Sequence, residues 1–209
     1  MAAGISYNAN ADFSLTLHNE FSGGAQPAGS VTAAFSTVAP GIVDLTIASL
    51  LKDSEFMSEI SFNLDPGPPA LNPASLQFAL QSSGGNGFVL NSIDKGVDAF
   101  QADGDGKYDI RFNFAPPPGG TTNVFDNSDT VTFRITGIAG LTAESFNFLS
   151  APAGGHGPFT AAAHIQGVAP NALGQTSGWI APGVPDGGTT IMLLGGAFAC
   201  LGAFRRRLA

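Results

Sequence analysis

Cysteine is almost absent from this chain, Cys200 being the only one in 209 residues. An intrachain disulfide and a thiolate metal site are therefore excluded, and the cysteine-free residues 1–183 must be held by their own packing. Basic residues are nearly as scarce. Of eight, three are the terminal Arg205, Arg206 and Arg207, which leaves Lys52, Lys95, Lys107, Arg111 and Arg134 for everything else. Fifteen acidic residues precede Val184, so residues 1–183 carry a net charge of −10. Such a surface repels polyanions, which excludes nucleic acid as a partner. Tyrosine and tryptophan are few, two and one against 17 phenylalanines, so the aromatic residues mainly fill a core. Only Tyr7, Tyr108 and Trp179 could form a platform on which a sugar stacks, and Tyr108 sits at a core-facing position of its alternating run. Catalytic motifs are missing as well. There is no Gly-x-Ser-x-Gly elbow, no His-Glu-x-x-His and no Walker-type loop, and His18, His156 and His164 are scattered along the sequence. No catalytic residue is assigned, and the chain reads as a non-enzyme.

What is abundant is turn-forming sequence. Glycine and proline number 28 and 14, about one residue in five, as suits many short strands. Period-two alternation runs through Phe13-Leu15-Leu17, Leu76-Phe78-Leu80, Tyr108-Ile110-Phe112-Phe114 and Val131-Phe133-Ile135, each the mark of a strand with one buried face. Residues 42–51 and 57–64 read as two further strands around the charged turn Lys52-Asp53-Ser54-Glu55. Pro66-Gly67-Pro68-Pro69, Gly84-Gly85-Asn86-Gly87 and Pro116-Pro117-Pro118-Gly119-Gly120 punctuate them. The expectation is an all-β chain of about eight to ten strands, folded as a single jelly-roll-like β-sandwich. Residues 1–166 would form the sandwich, 167–183 a terminal strand and linker, and 184–209 a separate tail.

The best candidate for ligand chemistry is Ala102-Asp103-Gly104-Asp105-Gly106-Lys107-Tyr108-Asp109. Asp103, Asp105 and Asp109 are hard oxygen donors, and Gly106 permits a sharp turn among them, as a calcium loop requires. In an EF-hand frame, however, the first and twelfth positions would be Gln101 and Phe112, neither an anchoring ligand. The competing reading is a tight Asp-Gly hairpin turn. Calcium is the one cofactor this chain suggests.

The tail is the most informative segment. Between Thr189 and Phe204 lie 16 residues without a charge, followed at once by Arg205-Arg206-Arg207. A helix over residues 189–204 would be about 24 Å long, slightly short for a bilayer core of roughly 30 Å but within what local thinning absorbs. The arginines act as a membrane stop that keeps the C-terminus cytoplasmic, which puts the rest of the chain on the other side. Before the helix, Pro182 and Pro185 hold the chain extended, and Gly187 and Gly188 leave its backbone open to close approach by an enzyme.

Val184-Pro185-Asp186-Gly187-Gly188, the apolar stretch and the arginine cluster, in that order at the C-terminus, together resemble a bacterial PEP-CTERM protein-sorting signal of the VPDSG type. The resemblance covers about 25 residues. It implies recognition by an exosortase, a multi-pass membrane enzyme that processes the tail and releases the exported domain to the cell surface or matrix. Ala163-His164-Ile165-Gln166-Gly167 followed by Ser177-Gly178-Trp179-Ile180 is similar to the last strands of many ectodomains carrying such signals. An exported chain needs a signal peptide, and Met1–Ala11 has neither a basic patch nor an apolar run. The leader is expected to lie upstream, trimmed or lost to a mis-assigned start. Two functions follow as expectations. The first is a non-enzymatic surface or matrix protein sorted by its tail. The second is a carbohydrate-binding or carbohydrate-acting β-sandwich, with extracellular polysaccharide as its partner.

Overall fold

The computed structural model describes residues 12–114 and 123–183. They form ten strands and two short 3-10 turns, Pro73–Ser75 and Ala143–Phe146. The strands are β1 (Phe13–Ser22), β2 (Val31–Ala39), β3 (Ile42–Ser49), β4 (Phe56–Phe62), β5 (Gln77–Gly84), β6 (Leu90–Ala102), β7 (Asp105–Phe114), β8 (Thr130–Thr136), β9 (Ala161–Gln166) and β10 (Ser177–Pro182). Alternation explains them directly. In β8, Val131, Phe133 and Ile135 are buried while Thr130, Thr132, Arg134 and Thr136 stay partly exposed. In β2 and β3, Val31, Ala33 and Phe35 and then Val43, Leu45 and Ile47 supply the inner face. The outer face of the same strands carries a bidentate ion pair, Arg134 to Asp44, both contacts 2.9 Å between residues directly opposite in register. Charge pairs placed this way reinforce the strand register.

All ten strands belong to one antiparallel sheet, in the order β5-β8-β3-β2-β1-β10-β9-β4-β7-β6. The sandwich of two separate sheets expected from the sequence is replaced by one curled sheet whose two halves face each other. The curl is visible in the aromatic contacts. Phe35 of β2 meets Phe62 of β4 edge-on at 5.4 Å, although three strands separate them in the sheet. Phe112 of β7 lies 5.2 Å from Phe133 of β8 and 5.4 Å from Phe78 of β5. The physical reason is the pairing of β1 with β10, which hydrogen-bonds one half to the other where two sheets would have been parted. Register irregularities at Leu17/Asn19 and Glu20/Ser22 let the ladder bend there.

Two strands were hidden from the alternation. β2 is small-residue rich, and β6 interrupts its pattern with Asp94, Lys95 and Asp98. One expected position is corrected. Leu80, assigned to the buried face with Leu76 and Phe78, is 60% exposed, because β5 is an edge strand with a register irregularity between Leu80 and Ser82. Residues 167–183 hold a strand at the centre of the sheet, β10, between β1 and β9. Among the described residues no helix is long and apolar enough to cross a membrane, and the expected helix over 189–204 lies outside them.

Phe112 bridges β4, β5 and β8 through its ring contacts with Phe62, Phe78 and Phe133. Phe112→Ala should therefore destabilise the fold by about 3–5 kcal/mol in urea titration. Val38→Ala, at a half-exposed site on β2, should stay within about 0.5 kcal/mol of the parent.

Candidate functional site

The acidic segment singled out in the sequence is the end of the long β6–β7 hairpin. Ala102 pairs with Asp105, so Asp103 and Gly104 form a two-residue turn, and their φ values of 51° and 85° are those of a type I′ turn. The hairpin bends before reaching this tip. The ladder is irregular between Lys95 and Phe100, where Asp98 takes a φ of 49°. Asp109 holds the bend, its carboxylate accepting the backbone N–H of Asp98 at 2.8 Å and of Leu64 at 2.9 Å. Beneath the bent hairpin Tyr108, Ala102, Ala162 and Trp179 make a second small core, flanked by Phe21 and Phe100.

Asp105 latches the hairpin to the loop before β9. Its Oδ1 accepts the N–H of Gly155 at 2.6 Å and of His156 at 2.9 Å, and its Oδ2 lies 2.9 Å from His156 Nδ1. Gly106 and Lys107 add backbone bonds to the carbonyls of Ala153 and Ala151. Gly154 is required here, since a Cβ at that position would fall 2.1 Å from Asp105 Oδ1 and its φ is +69°. Asp103 is engaged elsewhere, accepting the Ser22 hydroxyl at 2.5 Å. The three carboxylates proposed for calcium are thus turned to three different sets of donors. Among the described residues no group of three or more His, Cys, Asp or Glu is placed to hold a metal.

Their electrostatics differ accordingly. Burial pushes the Asp105 carboxyl up, but the hydrogen bonds from His156 and Gly155 together outweigh it and leave it below the ordinary value. For Asp109 burial prevails over its two backbone donors and the carboxyl is raised.

Across the outer face of the neighbouring strands runs a row in register: Trp179 on β10, His164 on β9, Glu59 on β4, Asn113 on β7 and Ser92 on β6. The His164 ring stacks on Trp179 at 4.8 Å, and its Nδ1 is 3.0 Å from Ser58 Oγ. Burial lowers the His164 pKa, opposed by the charge of Asp103. Glu59 is raised by burial, with Arg111 pulling it down and Asp94 pushing it up. Arg111 bonds Asp94 at 2.9 Å and lies over the Phe100 ring at 4.7 Å. Asn113 bonds both Asp94 and Ser92. The Arg111, Asp94, Asn113 and Ser92 bonds run between the paired strands β6 and β7 and reinforce their register.

Neither of the two described rings considered for sugar stacking is exposed. Tyr108 is fully buried and Trp179 is 8% exposed, while Tyr7 lies outside the described residues. Two shallow grooves mark the surface. One, of about 300 Å³, lies along Leu80, Gly84, Phe88 and Leu90, and the other, of about 340 Å³, along Thr16, His18, Leu50 and Lys52. The His156 partnership with Asp105 escaped the sequence reading, although Gly154-Gly155-His156-Gly157 is a conspicuous glycine cluster.

Val184, Pro185, Asp186, Gly187, Gly188 and Arg205–Arg207 lie outside the described residues. Residues 183–208 match the VPDSG-CTERM motif, the C-terminal sorting variant that this tail resembles. No curated protein and no solved structure matches the chain. The defined functional element of this protein is thus a C-terminal sorting signal, attached directly after the last strand of a β-sheet body.

Asp105→Ala should weaken the fold by about 2 kcal/mol through the orphaned N–H groups. Because the folded Asp105 carboxyl sits below its ordinary value of 3.8, its contribution is complete above that pH and fades on acidification beneath it. Millimolar Ca²⁺ should leave the melting temperature of the parent unchanged, and a rise abolished by Asp105→Ala would restore the cation reading. The buried His164 imidazole is held below its ordinary 6.5, so its stabilisation is present above that pH and lost as pH falls. Urea titrations between about pH 7.5 and 5.5 should show this loss in the parent and a smaller one in His164→Gln.

Proposed function

We propose that the protein is an exported, non-enzymatic surface or matrix protein whose tail is processed by an exosortase-type membrane enzyme. The observation that carries this reading is the VPDSG-CTERM match over residues 183–208. Within it, Val184–Gly188 would be the recognition motif, residues 189–204 a short membrane helix, and Arg205–Arg207 the stop that keeps the end cytoplasmic. The segment would anchor the chain transiently in the inner membrane until the enzyme releases the body outward.

The body suits that life. It is acidic and cysteine-free, and among the described residues its large apolar side chains pack into a main core and a smaller second one. Its half-buried acids and histidines bond mostly to backbone and to one another, which supports a structural role over catalysis. A sugar-binding role would need exposed rings, and the described tryptophan and tyrosine are buried.

The test is mass spectrometry of surface protein from cells that carry a matching exosortase. The mature chain should lack the apolar segment and Arg205–Arg207, and deleting the enzyme should leave both in place on membrane-retained protein. Surface protein with the arginines intact would overturn the reading.

A further inference from the structure

The curled sheet ends in two edge strands, β5 and β6, and they are built differently. β6 carries Asp94, Lys95 and Asp98, and its ladder to β7 is irregular at three places. Charges and bulges of this kind obstruct the addition of another strand. β5 has neither charge nor proline in Gln77-Phe78-Ala79-Leu80-Gln81-Ser82-Ser83-Gly84, and every residue except Phe78 is exposed. Its single irregularity, between Leu80 and Ser82, leaves Gln77–Leu80 in regular register with β8. Leu80 is 60% exposed and borders the groove of about 300 Å³ that continues past Ser83 and Gly84 to Phe88 and Leu90. No charged residue occurs anywhere from Pro66 to Ile93.

We propose that β5 is an association edge, at which β5 of a second copy of this chain pairs antiparallel about a two-fold axis and joins two sheets into one. Charge selects the second copy. Bodies of net charge −10 repel one another, so two copies approach most closely where exposed acids are absent; β5 itself is uncharged, and the charges beside it, the Lys95 ammonium on the Leu76 carbonyl at 2.6 Å and Arg134 opposite Ala79 on β8, are cationic. A cationic partner would instead be drawn to the acidic remainder of the surface. Antiparallel self-pairing brings only uncharged residues together and sets the apolar Phe78 and Leu80 of the two strands within cross-strand reach. A two-fold contact uses both β5 edges at once, and the charged β6 edge resists further growth, so the product is a closed dimer and not a filament.

The test is sedimentation equilibrium of the full-length chain in density-matched non-ionic detergent, with two matched variants. Leu80→Lys puts a charge on β5 where the side chain is 60% exposed, and Val97→Lys puts one on β6 at 67%. The parent and Val97→Lys should be dimeric. Leu80→Lys should dissociate, its dimer weakened roughly tenfold or more by facing like charges. Cooperative melts in all three would show that the fold persists, and Ser82→Lys, also on exposed β5, repeats the comparison if Leu80→Lys unfolds. A monomeric parent, a dimer indifferent to the β5 charge as tail-driven association would be, equal loss in both variants, or open-ended polymers would each overturn the proposal.

Discussion

The ladder between β1 and β10 is where the architecture is decided, because it ties the first strand of the sheet to the last. Leu17 faces Pro182, and Ser22 faces Trp179, with the strand kinked twice on the way. Five strands lie on each side of this seam, and only its bend lets their apolar faces meet. Burial of about 25 cal/mol per Å² of apolar surface rewards that meeting, so the phenylalanine contacts between β2 and β4 and between β7 and β8 depend on the β1–β10 pairing. The sheet is also incomplete until its last strand has been made. β10 ends at Pro182 and the sorting motif match begins at residue 183, so every described strand precedes the motif.

A chain with one cysteine and little charge has few ways to fix its loops, and here buried carboxylates do so. Glu55 accepts the backbone N–H groups of Ala28, Gly29 and Lys52. Asp129 accepts those of Asn86 and Asp126, Asp109 those of Leu64 and Asp98, and Asp105 those of Gly155 and His156. Each acid replaces water for backbone groups that strands leave unpaired. Asp105 and Asp109, from the segment that resembles a calcium loop, are two of these clasps.

Function divides along the same line. The body is a self-contained acidic sheet, and the identifying chemistry sits in the 26 residues matched at its end. Among the described residues of the body, the polar row from Trp179 to Ser92 lies in register across five strands.

How much is legible along the chain before folding follows from the range of the forces involved. The inward faces of β7 and β8, the Asp103-Gly104 turn and the sorting motif were legible because each depends on neighbours a few positions away. Alternation assigns a residue to a face, and the order of a short motif, an apolar stretch and a basic cluster marks the sorting signal. Tertiary structure alone decided the rest. Alternation is indifferent to which strand pairs with which, so a single curled sheet and two facing sheets share one pattern, and only long-range packing separates them. Likewise Asp105 finds His156 fifty-one residues away, and Leu80 keeps its apolar side chain outside because its strand became an edge.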